Sequence, residues 1–108
     1  MKDWSPDDMK AHLDSGKGLF LKLWKKGCGG CKLSIPAVER LEGEFSDQLA
    51  FVQISADDHP EILEISDTEV LPTFFVFVAG KFKGNHIGFK GLEKLKAFVN
   101  KHLTEAAV

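Results

Sequence analysis

At 108 residues and 44% hydrophobic, the chain has the size and apolar content of a single domain, residues 1–108, with one core, and its two cysteines exclude a small scaffold held by many disulfides. The 14 basic and 16 acidic side chains give a formal net charge of -2 and form no long run of like charge, which argues against nucleic acid as a partner. No apolar run approaches the roughly 20 residues needed to cross a bilayer, and the start MKDWSPDD lacks the basic end and apolar core of a signal peptide, so a soluble, cytoplasmic protein without membrane association is expected, and it is taken as a monomer.

Ser5 reads as the N-cap of a first helix, with Pro6 in its first turn and Asp7 and Asp8 facing the positive end of the dipole. Met9 and Leu13 supply the inward side, and Gly16 is a natural left-handed cap. Leu19 to Trp24 is mostly apolar, as in a strand buried on both faces, and so belongs in mid-sheet. From Cys28 to Phe45, Leu33, Val38, Leu41 and Phe45 recur at helical spacing, and Pro36 should kink that helix one turn beyond the cysteines. Leu49 to Ile54 is a second strand, parallel to the first because a helix connects them, and Asp57 to Pro60 opens a short third helix through Ile65. Thr73 to Ala79 and Lys81 to Ile87 form an antiparallel hairpin about a tight turn at Gly80 and Lys81. Leu92, Leu95, Phe98, Val99 and Leu103 mark an amphipathic closing helix. The order describes an α/β domain, a mixed four-stranded sheet between layers of helices.

Cys28 and Cys31 stand where the first strand gives way to the second helix, separated by Gly29 and Gly30. A thiol on the first turn of a helix faces unpaired N–H groups and the positive dipole end, which favours the thiolate. Cys-x-x-Cys beside a βαβ pattern reads as a dithiol–disulfide redox centre in which the outer sulfur attacks and the inner one resolves. Half of a zinc site is the competing reading, but His12, His59, His86 and His102 lack the spacing of a second pair of ligands, so no metal is expected. Haem attachment requires His after the second cysteine, and Lys32 stands there. A purely structural disulfide would close a very short loop, where a crosslink constrains the unfolded chain least. The four histidines are scattered and are read as surface or half-buried residues without a catalytic role.

The run LWKKGCGGCKLSIP resembles the active site of the thioredoxin family through Trp24, Cys28, Gly29, Cys31, Lys32 and Pro36. Val70-Leu71-Pro72-Thr73 is similar to the family's cis-proline loop, and Gly80 and Gly88 fit its hairpin turn and the glycine beside its substrate groove. The resemblance spans almost the whole chain and implies a thioredoxin-like three-layer sandwich, with a vestigial fifth strand at most in Met1 to Trp4. It also implies a groove built from Trp24, Gly27, Gly29, Gly30, Leu71, Pro72, Ile87, Gly88 and Phe89, with Phe89 supplying part of the wall that Gly27 cannot form. The chain departs from the family at Gly27, where a tryptophan is usual, at Gly30, where proline is usual, and at Lys22 and Gln53, which stand for a buried Asp and its partner Lys. Lys22, in an apolar strand, must either snorkel to an edge or have its pKa depressed beneath the cysteines, where it would alter their titration. Lys25 and Lys26 are solvated loop residues on one reading and lower the pKa of Cys28 or steer acidic partners on another.

The function expected is that of a protein-disulfide reductase: Cys28 attacks, Cys31 resolves, and the redox-active disulfide serves in place of any bound cofactor. Its partners would be disulfide-containing proteins and, by resemblance, a thioredoxin-reductase-like electron donor. Two rivals stand beside it. One is an oxidase or isomerase of an oxidising compartment, separated by its reduction potential. The other is a thioredoxin-fold binding module with an idle dithiol, which would keep its biological activity after both cysteines were replaced.

Overall fold

The structure is a computed structural model that describes residues 1–66 and 69–106. Its elements, in order, are β1 (Lys2–Asp3), α1 (Pro6–Asp14), β2 (Leu19–Trp24), α2 (Gly29–Leu33), α3 (Ile35–Phe45), β3 (Ala50–Ser55), a 3₁₀ helix (Pro60–Ile65), β4 (Thr73–Val78), β5 (Lys81–Ile87) and α4 (Leu92–Ala106). The sheet order is β1-β3-β2-β4-β5. β1, β3 and β2 run parallel, and β4 and β5 continue the sheet antiparallel.

The sheet thus has the four expected strands and, within Met1 to Trp4, the short fifth. β1 is only two residues long, but it pairs with Val52 and Gln53, and the Trp4 N–H extends the ladder to the Gln53 carbonyl at 2.9 Å. Side-chain bonds hold this edge: Gln53 Nε2 donates to Asp3 Oδ1 at 2.7 Å, and the terminal amine pairs with Glu42 at 3.1 Å. α1 starts as its sequence suggests, with a reciprocal capping box between Ser5 and Asp8.

Two local expectations are corrected. The kink becomes a break, α2 ending at Leu33 and α3 beginning at Ile35, because Pro36 brings no N–H to the ladder and fits only in the first turn of a new helix. The hairpin turn is Ala79-Gly80, with φ 54° and 78°, and Lys81 already pairs with Val78. Positive φ at both central residues matches the twist of the flanking strands. Gly80 also packs on α1, where an added Cβ would collide with the Leu13 carbonyl oxygen.

Alternation along β2 separates two cores. Leu19, Leu21 and Leu23 join Val52, Ile54, Phe75 and Ile62 on the face covered by α1 and the 3₁₀ helix, with Met9 and Leu13 packed against them. Phe20 joins Phe51, Phe74, Val38, Leu41, Leu95 and Val99 on the face covered by α3 and α4. Phe20 stacks on Phe51 with ring centroids 4.6 Å apart. Lys22 follows Phe20 at the same parity, so the fold aims a lysine toward the helix that carries the cysteines.

Candidate active site

β2, in mid-sheet, ends at Trp24, and Lys25, Lys26 and Gly27 turn the chain into α2, Gly27 at φ 74°. The Lys26 N–H donates to Asp57 Oδ2 at 2.9 Å, which ties this loop to the loop after β3. Cys28 is the N-cap of α2, in extended conformation, and its sulfur accepts the Cys31 N–H at 3.1 Å. Cys31 lies inside the helix at 3% exposure, whereas Cys28 is half-buried. The two are joined as a disulfide, their Cα atoms 5.2 Å apart. The cap geometry supplies a sulfur at Cys28 with an N–H donor, the arrangement that stabilises a thiolate once the bond is reduced.

The carbonyl oxygen of Cys31 receives two donors from below. Lys22 Nζ donates to it at 2.8 Å, and Ser34 Oγ donates at 2.8 Å. Lys22 is 2% exposed, so it does not snorkel. Its register partner on β3 is Gln53, whose amide turns away to Asp3. No carboxylate pairs with Lys22 among the described residues. Burial pushes the Lys22 amine below the ordinary lysine value. Ser34 is the member of this arrangement that sequence reasoning misses, although a serine three residues after Cys31 is the spacing for a bond back to that carbonyl.

The nine residues expected to form one groove lie on two sides of Cys28. On one side, the Leu71–Pro72 peptide bond is cis and the Leu71 carbonyl oxygen lies 3.5 Å from Cys28 Sγ. A Cβ at Gly30 would sit 3.1 Å from Pro72 Cδ, and the Gly88 N–H donates to the Pro72 carbonyl at 2.8 Å. Ile87 pairs across the hairpin with Thr73 and is exposed, while Phe89 packs against the core cluster of Phe20 and Leu95. On the other side, Trp24, Gly27 and Gly29 line a cavity of about 500 Å³ together with Cys28, Cys31, Lys22, Lys25, Lys26, Lys32, Ile35 and Gln53. Leu71, Pro72 and Gly88 do not line it.

His12, His86 and His102 lie elsewhere, and His59 lines a neighbouring cavity that shares Trp24. His12 meets the Gly18 carbonyl at 2.8 Å, and His86 and His102 flank Phe98. His102 is buried, contrary to the expectation of a surface or half-buried side chain. No group of three or more metal-ligating side chains occurs among the described residues, and no helix among them is long and apolar enough to cross a membrane.

Residues 3–101 match the family model for thioredoxin. The thioredoxin of Bacillus subtilis is 33% identical over 97 residues, covering 89% of this chain and 93% of the relative. That of Mycoplasma genitalium is 37% identical over 79 residues, covering 73% and 76%. Among solved structures, a thioredoxin of Malassezia sympodialis superposes with a TM-score of 0.82 at 24% identity, covering 94% of this chain and 91% of the other.

Proposed function

This chain belongs to the thioredoxin family and has the thiol–disulfide chemistry of that family, and from that premise we propose that it reduces disulfides in proteins of the cytoplasm, acting as a single-domain monomer. The observation that carries the proposal is the inequality of the two sulfurs: Cys28 caps the helix at the surface and Cys31 is buried within it. The Cys28 thiolate attacks a substrate disulfide and forms a mixed disulfide. Cys31 then loses its proton, attacks Cys28 Sγ and releases the substrate as a dithiol, leaving the Cys28–Cys31 bond. A thioredoxin-reductase-like donor returns two electrons. Leu71, Pro72 and Gly88 line the path of the substrate backbone, while the disulfide itself needs no added cofactor.

Lys22 sets the proton and charge balance of this cycle. A cationic amine below Cys31 favours the thiolate, which stabilises the reduced form and makes the protein a weaker reductant. A neutral amine, favoured by burial, accepts the Cys31 proton as a general base. The same lysine favours a second reading, a protein poised to oxidise or isomerise disulfides. Equilibration with glutathione buffers decides between them: a potential near about -270 mV identifies a reductant, and one near about -120 mV a strong oxidant.

A further inference from the structure

We propose that the cavity beside Cys28 is an anion-binding subsite that holds a carboxylate of the substrate next to its reacting sulfur. This names a substrate class for the oxidoreductase proposed above and rests on that reading. Lys22, Lys25, Lys26 and Lys32 line the cavity, and among the described residues no Asp or Glu does. In a chain with a formal net charge of -2, that is a local reversal of sign beside the attacking sulfur. Asp57, exposed, accepts the backbone N–H of Lys26, a bond that does not use the Lys26 ammonium. None of the four lysines is in an ion pair among the described residues.

The cavity is also shaped for more than an ion. Trp24 and Ile35 give it apolar walls for the methylenes between a sulfur and a carboxylate, and about 500 Å³ is within the range of small-molecule sites. Lys22 forms the floor, held by its bond to the Cys31 carbonyl. Trp24 divides this basic cavity from a second one of opposite character, lined by Asp3, Asp58 and His59. A carboxylate therefore has one favourable side of Trp24, the side that opens on Cys28.

With 3,3′-dithiodipropionate as probe, the Cys28 thiolate attacks one sulfur, forms a mixed disulfide and releases one 3-sulfanylpropanoate. Cys31 displaces the second as it loses its proton. The protein dithiol gives up two electrons and two protons, and one disulfide becomes two thiols.

The test compares alkylation of Cys28 in the reduced full chain by iodoacetate and by iodoacetamide, two electrophiles that differ in charge. The ratio of the two rates cancels any change in the nucleophile itself. In Lys25→Gln/Lys26→Gln/Lys32→Gln the iodoacetate to iodoacetamide ratio should fall about tenfold, since removing three local cations removes the attraction. In Lys17→Gln/Lys81→Gln/Lys83→Gln, which removes equal charge at the opposite end of the sheet, it should stay within about twofold, because charges beyond a Debye length are screened. An unchanged ratio in the first variant, or an equal fall in both, overturns the proposal. Turnover of 3,3′-dithiodipropionate relative to bis(2-hydroxyethyl) disulfide should show the same fall. If neither disulfide is reduced while the alkylation ratio behaves as stated, the reductase reading fails and the anion site remains.

Discussion

Lys22 Nζ donates a 2.8 Å hydrogen bond to the carbonyl oxygen of Cys31, so a buried amine without a carboxylate partner among the described residues sits directly beneath the inner cysteine. Charge at this position bears on both sulfur chemistry and stability. Lys22→Met should raise the Cys31 thiol pKa and shift the potential by about 30 mV toward the reducing side, a tenfold change in the glutathione equilibrium. Thiolate absorbance against pH and redox equilibration measure the two effects. Unchanged values in both Lys22→Met and Lys22→Asp would make the lysine a spectator.

The same substitution bears on folding. The Lys22 pKa is depressed in the fold, so between that value and the ordinary lysine pKa the unfolded chain binds more protons and stability rises with pH. Below the folded value the fold must keep a buried cation. Lys22→Met should therefore be neutral or stabilising at neutral pH and should abolish this alkaline slope. Urea unfolding between neutral pH and pH 10 tests it.

The exposure difference between the cysteines sets their reactivity. At near-neutral pH, alkylation of the reduced protein should label Cys28 at least about tenfold faster than Cys31. Cys31→Ser should accumulate mixed disulfides with substrates, and Cys28→Ser should not. Faster labelling of Cys31 would reverse the assignment.

Gly80 has both a positive φ and no room for a side chain, since a Cβ would run into the Leu13 carbonyl oxygen. Gly80→Ala should cost about 1–3 kcal/mol through strain at the turn and displacement of α1. The redox potential, set at the other end of β2, should not follow. Denaturant midpoints and redox equilibration on the same variant separate these effects.

His86 lies between Phe74 and Phe98, with Nε2 buried and without a hydrogen-bond partner among the described residues. Burial depresses its pKa, and the nearby charges of Lys90 and Lys94 add to the effect. From about pH 6.5 down to the lowered folded value the unfolded chain binds more protons, so stability present above pH 6.5 is lost on acidification. His86→Phe should flatten that part of the stability–pH curve. A slope unchanged from wild type would assign acid sensitivity to other groups.

Sequence alone determined most of the elements and the chemistry. Capping at Ser5, the apolar run of β2, the helical spacing of Val38, Leu41 and Phe45 and the Cys-x-x-Cys turn are local patterns, and each constrains a neighbourhood of a few residues; Leu33, read into the same stripe, is exposed at the end of α2. Together with the family motifs they were enough to identify an α/β dithiol oxidoreductase. What the tertiary structure decided were relationships between residues distant in the chain. Whether Lys22 would snorkel or point inward depended on the helix packed over β2, because strand parity fixes a face but not what covers it. The short β1 formed because Gln53 and Glu42 lie within reach of the N-terminus, a pairing that no local pattern encodes. Leu71 reaches Cys28 from the loop before β4, while Trp24 lines the cavity beside Cys28 from the end of β2, a juxtaposition that only packing sets.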